Sequence, residues 1–172
     1  LAALAMLWWS PAAWPQAAST TGQTGLINMP DARTAPDGTL RFGYSYADPY
    51  VTTWSGITFL PRIELSGRVT RVMHVPGFAS AATDYGDYKD KAIDGKLVLL
   101  EEGGWWPQLT IGGQDFIGTR LYPAWYAVAS RRLGDFDLTV GYGGDRIDGV
   151  FGGVRYRHSA LPGWALVAEY DA

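Results

Sequence analysis

Beyond Gly25 the chain alternates apolar and polar residues with a period of two. Leu40, Phe42, Tyr44 and Tyr46 share one face of a segment whose other face carries Arg41, Gly43 and Ser45. The same split sets Phe136, Leu138, Val140 and Tyr142 against Asp137, Thr139 and Gly141. It sets Val150, Val154 and Tyr156 against Gly153, Arg155 and Arg157, and Trp164, Leu166 and Tyr170 against Glu169 and Asp171. Alternation of this period places one set of side chains on each face of a β-strand. Residues 50–59, 62–72, 93–101, 107–116 and 122–131 are less regular strand candidates, which brings the expected total to nine. Val98 and Leu100 make both faces of the 93–101 segment apolar, and Arg71 breaks the phase of 62–72. Gly and Pro interrupt nearly every window a helix would need. The fold class expected is an all-β antiparallel meander. Its connections are mostly short, and one, over residues 74–91, is long and polar enough to read as a solvated loop.

Two architectures share this pattern. A soluble sandwich or small barrel turns the apolar face inward, and a transmembrane β-barrel turns it outward to lipid. Three features favour the membrane. The segments approach the roughly 9–11 residues that a tilted membrane strand needs. The polar face, with Arg41, Asp137, Arg155, Arg157 and Glu169, suits a wet lumen, and the chain carries 11 Arg against 3 Lys. Trp105, Trp106, Tyr122, Trp125, Trp164 and Tyr170 gather at segment ends, as in an interfacial girdle. If the first strand rises from the periplasm, the turns near 60–62, 103–106, 133–135 and 159–163 are periplasmic, and the long connection lies outside.

Composition narrows the picture. A net charge of -3 without a basic block removes the electrostatic footing for nucleic acid. With 0 Cys there is no disulfide, no thiolate ligand or nucleophile, and no acceptor for an N-terminal lipid in this sequence. The apolar run Leu1–Trp9, ended by Ser10-Pro11 and followed by small residues, reads as a secretory signal over residues 1–18 with a truncated start. Residues 19–38 then form an N-terminal periplasmic segment, and residues 39–172 an incomplete barrel portion. Within the former, residues 25–30 read either as a plug at the periplasmic mouth or as a partner contact.

Candidate chemistry is sparse. His74 and His158 lie at the ends of different segments, too few for a metal site. No nucleophile elbow frames Ser66, the serine that His158 and Asp137 could accompany. Glu101 and Glu102 are adjacent, so they point to opposite faces and cannot form a hydrolytic pair with each other. Residues 84–91 lack the ligand order of a calcium loop. Gly112-Gly113 and Gly141 read as strand glycines against a crowded wall. No catalytic, cofactor or metal site is expected, and the chain does not read as an enzyme. The lumen candidates for polysaccharide contact are Arg41, Arg68, Asp137, Arg155, Arg157 and Glu169, because guanidinium forks suit carboxylate-bearing or hydroxyl-rich sugars. The alternative is that these charges pair with one another and fill the lumen. Phe42, Tyr44, Leu138, Val140, Val154, Tyr156 and Leu166 are the expected lipid-facing set.

Several phrases, taken in order, resemble a known family. They are residues 24–32 (Thr-Gly-Leu-Ile-Asn-Met-Pro-Asp-Ala), 37–40, 60–64 (Leu-Pro-Arg-Ile-Glu), 88–91 with 94–96, Glu101-Glu102, 107–112 with 115–119, 124–130 and 168–171. The set resembles the YjbH-like outer-membrane proteins tied to exopolysaccharide production in Gram-negative bacteria. The resemblance implies a β-barrel in the outer membrane, often starting as a lipoprotein, in contact with outer-membrane lipid. It also implies small periplasmic partner proteins from the same gene cluster, and no enzyme activity. Members are much longer, so the sequence reads as an N-terminal piece. Two other readings compete: a soluble periplasmic β-sandwich that binds glycan, and an outer-membrane enzyme acting on lipid or sugar.

Overall fold

The computed structural model describes residues 16–77 and 86–171. Residues 1–15 of the expected signal, and residues 78–85 of the long connection, lie outside the described residues. The nine strands are β1 (Leu40–Ala47), β2 (Tyr50–Phe59), β3 (Ile63–Pro76), β4 (Asp87–Leu100), β5 (Gln108–Gly118), β6 (Ala124–Leu133), β7 (Phe136–Asp145), β8 (Gly149–Tyr156) and β9 (Leu166–Tyr170). They form a single antiparallel sheet in sequence order. The sheet is not closed: β1 and β9 are its two edges and do not pair.

The connections fall into two rows. One rim carries the turns at 60–62, 101–107, 134–135 and 157–165, here called the lower rim. The other carries 48–49, the connection after β3, 119–123 and 146–148, here called the upper rim. The long connection is shorter than its polarity suggests. Ladder pairing continues to Val72↔Tyr88 and resumes at Pro76↔Asp87 across an irregularity, and the Gly77 amide donates to the Gly86 carbonyl at 2.8 Å. Residues 87–91 are therefore strand. Lys89 and Lys91 point outward, Asp90 points inward and is buried, and Arg71 meets Asp87 at 3.6 Å.

The alternation resolves into two unlike faces. Phe42 is 73% exposed, Val140 59% and Leu166 72%, and the outward positions Leu97, Ile111, Leu138 and Val154 join them in a continuous apolar surface. The inward face is polar and buried, with Glu64, Ser66, Arg68 and Thr70 on β3, Asp90, Asp94 and Lys96 on β4, and Asp137, Thr139 and Arg155 on β7 and β8. Residues 16–36 lie against this inward face. Leu26, Met29 and Ala32 pack there on Tyr126, Val128, Ile147 and Phe151 to make the one apolar cluster found among the described buried residues.

Glycine makes room for inward aromatic rings. Gly43 pairs with Trp54, Gly112 with Tyr126 and Gly141 with Phe151, and a Cβ at any of the three glycines would run into the facing ring. Each ring covers the bare backbone opposite it, an arrangement that compensates for a strand glycine. The crowded wall expected at Gly112 and Gly141 is present. Gly141→Ala is expected to cost about 1–3 kcal/mol through overpacking. Urea titration of the purified protein measures it.

A candidate functional site: the segment held inside the sheet

Residues 16–36 form almost no ladder of their own. Two isolated bridges, Ala18↔Thr24 and Gly25↔Pro30, fold the segment back on itself. Buried backbone groups need partners, and here side chains of the sheet supply them. Thr110 Oγ1 and Gln108 Nε2 donate to the Ala32 carbonyl at 2.7 and 2.6 Å, and Ser130 Oγ accepts from the Ala32 amide at 2.9 Å. Glu64 accepts from the Thr24 amide and hydroxyl, both at 2.6 Å, and from the Ala35 amide at 3.2 Å.

Charges tie the segment at three places. Asp31 is the centre of the first. Arg155 donates to its Oδ2 at 3.1 Å and also to the Gly25 carbonyl. Lys96 Nζ stands 3.7 Å from Asp31 Oδ1 and donates to the Thr24 and Asp31 carbonyls at 2.7 and 3.2 Å. The side chains of Asp31, Lys96 and Arg155 are at most 1% exposed. Arg33 makes the second tie. Its guanidinium grips Asp137 with two bonds, at 3.2 and 2.8 Å, and meets Glu102 at 2.6 Å. Burial works against the Arg33 charge, but Asp137 and Glu102 more than offset it and raise its pKa. The third tie is Glu169 on β9. Its carboxylate accepts from the Ile27 and Asn28 amides at 2.9 Å and the Met29 amide at 3.2 Å, with the Asn28 side chain at 2.9 Å. At the other edge, Ser45 of β1 donates to the Thr20 carbonyl at 2.7 Å, and Thr20 bonds Asn28 at 3.1 Å. The segment thereby bridges the two unpaired edges.

All six sequence-predicted lumen residues lie on or beside the inward face, and four of them hold the segment. Arg41 reaches Thr24 at 2.8 Å and Glu64 at 3.2 Å, while Asp137, Arg155 and Glu169 act as described. Arg68 instead pairs with Asp94 at 3.0 Å, higher in the sheet. Arg157, just past β8, keeps the parity of Arg155; burial, then Arg155 and Arg132, lower its pKa against the pull of Asp137 and Asp31. Asp137 and Arg155 are therefore committed to the chain's own N-terminal segment. Residues 25–30 pack inside the sheet. Asp31, Arg33, Glu64 and Lys96 were not singled out from the sequence as site residues. The signal was present for two of them: Glu64 and Lys96 are charged residues at the inward parity of Arg68 and Asp94 in the same two strands.

Glu169→Gln weakens a charge-assisted acceptor whose bonds each contribute about 1.5–3 kcal/mol. Hydrogen exchange at the Ile27, Asn28 and Met29 amides is expected to accelerate at least tenfold, with the Thr110–Ala32 contact region unchanged.

The fold and site together define an all-β meander, apolar outside and polar inside, with its own N-terminal segment docked on the polar face. Residues 17–150 match the YjbH family, described as "Exopolysaccharide biosynthesis protein YbjH", and the chain belongs to that family. It is 40% identical over 127 residues to the "Uncharacterized lipoprotein YjbH" of Escherichia coli (strain K12); the match covers 73% of this chain and 18% of that protein. The chain therefore spans about a fifth of the length of this relative. No solved structure matches it. The phrases that carry the resemblance meet inside the sheet: residues 24–32 touch Glu64, Lys96, Gln108, Thr110 and Glu169, which come from four separate phrases.

Proposed function

We propose that these strands are part of the wall of an outer-membrane β-barrel that assists production, export or surface retention of an exopolysaccharide, without catalysis of its own. The observation that carries the reading is the inversion of polarity across the sheet. A soluble sandwich buries its apolar face against a second sheet. Here the buried face is polar, and the face left open carries large apolar side chains such as Phe42, Val140 and Leu166, the kind of exposed apolar surface that marks an interaction or membrane site. Lipid is the solvent that such a face fits, and strands cross it only in a closed barrel. In this reading further strands fill the gap between β1 and β9, residues 16–36 plug the lower half of the lumen, and the lower rim faces the periplasm and its small partner proteins. The family description supports the link to exopolysaccharide, and the relative's description as a lipoprotein supports attachment to a membrane.

The test is fractionation of the full-length protein together with gene deletion. The protein is expected in outer membranes, resistant to carbonate and released by detergent, and its deletion is expected to lower surface polysaccharide. Carbonate-soluble periplasmic protein would end the barrel reading. Unchanged polysaccharide on deletion would end the functional one.

A further inference from the structure

Above the docked segment the inward face opens into a cavity of about 330 Å³ at the upper rim, lined among others by Thr20, Tyr50, Arg68, Tyr122, Arg146 and Asp171. Its volume falls at the small end of ligand sites and suits one or two sugar rings. The two arginines differ in their partners. The Arg68 charge is matched by Asp94, through bonds at 3.0 and 3.4 Å. Arg146, in the turn between β7 and β8, donates to the neutral Gln114 Oε1 at 2.6 Å, and no carboxylate pairs with it among the described residues. Burial lowers the Arg146 pKa although Asp171 pulls the other way. A guanidinium has five N–H donors in a fixed fork, so most of its donors remain for a planar anion. The Tyr50 and Tyr122 rings stand at the mouth edge to face, 5.9 Å apart, with the Tyr122 hydroxyl 3.4 Å from that of Tyr50. Burial, with help from Tyr50, pushes the Tyr122 phenol up to about 12, so it stays a neutral hydrogen-bond donor.

We propose that this cavity binds a carboxylated sugar unit, its carboxylate paired with Arg146 and its ring laid against the Tyr50–Tyr122 pair. Asp171 accepts from sugar hydroxyls, and Thr20 and the other hydroxyl side chains complete the polar wall. The inference rests on the reading that the chain handles exopolysaccharide, and it specifies the polymer chemistry: an acidic polysaccharide, held at the end of the sheet opposite the ties at Asp31 and Arg33.

The test is calorimetric titration of the full-length protein in detergent with two probes, trigalacturonate and the neutral maltotriose. Trigalacturonate is expected to bind at least tenfold more tightly than maltotriose, and Arg146→Gln is expected to raise its Kd at least tenfold. Tyr50→Leu, a second variant at the mouth, is expected to weaken it as well. Equal affinity for the two probes, or no binding of either, overturns the carboxylate assignment. Unchanged trigalacturonate affinity in both variants overturns the location. Fractionation of the same proteins separates the two levels. If the wild type is carbonate-soluble yet binds trigalacturonate through Arg146, the barrel reading fails and the site stands. If it is an outer-membrane protein that binds neither probe, the site fails and the barrel reading stands.

Discussion

Replacing Asp31 by Ala is expected to destabilise the protein by about 3–5 kcal/mol, the cost of leaving a buried ionic partner uncompensated. Asp31 is the shared carboxylate of Arg155 and Lys96, and all three side chains are inaccessible to water. Its loss removes the one carboxylate that stands within ion-pair distance of both buried cations among the described residues. The Arg33 amide also loses its acceptor, since it donates to Asp31 Oδ1 at 3.0 Å. The double variant Asp31→Ala, Arg155→Met removes one orphan and is expected to recover part of the loss. Urea midpoints of the detergent-solubilised wild type, the two single variants and the double variant give the coupling directly. A loss below about 0.5 kcal/mol, the range of ordinary surface changes, would mean that residues 16–36 are not seated as described.

Val140→Arg probes the other face. Val140 lies at the centre of β7, pointing outward and 59% exposed. An arginine on the lipid face of a barrel costs about 2–4 kcal/mol near the bilayer midplane, whereas the same change on a wetted surface falls within about 0.5 kcal/mol. Thr139→Arg, one residue away, points inward towards Ser130 at 2.8 Å and fails by crowding rather than by depth. The two variants are distinguished by bilayer thickness. The Val140→Arg penalty is expected to shrink in thinner bilayers, and the Thr139→Arg penalty to stay constant. A Val140→Arg protein as stable as wild type would place that face in water.

Much of this was legible because a strand's alternation survives translation into three dimensions. All nine segments became strands, and Leu138, Val140, Val154 and Leu166 face outward as their parity required. The start of β4 was less legible. Lys89, Asp90 and Lys91 read as a polar loop, yet the two lysines point out of the sheet near a rim while Asp90 points in. The docked segment left no periodic trace, because residues 16–36 are fixed by side chains of distant strands rather than by a ladder. Thr24 and Glu64 meet across 40 positions, and Ile27 and Glu169 across 142, separations over which composition and period carry no information. Parity set five of the six charged candidates on the inward face and Arg157 just beyond it, but parity does not name partners. The expectation that charges pair with one another to fill the interior describes Asp137, Arg155 and Arg41 better than an open path does. Arg146 escaped notice because it sits in a turn, where alternation stops, and Tyr122 was read as an aromatic at a segment end rather than as part of a cavity wall.

In the proposed barrel the sheet meets lipid with its apolar face and its own chain with its polar face. Single cysteines at successive positions along β7, from Leu138 to Tyr142, introduced into the full-length protein with any cysteine outside these residues replaced, can carry a nitroxide label after reconstitution into lipid vesicles. The direct measurement is the relaxation of each label by oxygen, which partitions into lipid, and by a water-soluble nickel chelate. Oxygen accessibility is expected to peak at Leu138, Val140 and Tyr142, with Thr139 and Gly141 shielded from both reagents. High nickel accessibility at Leu138, Val140 and Tyr142 would contradict the account.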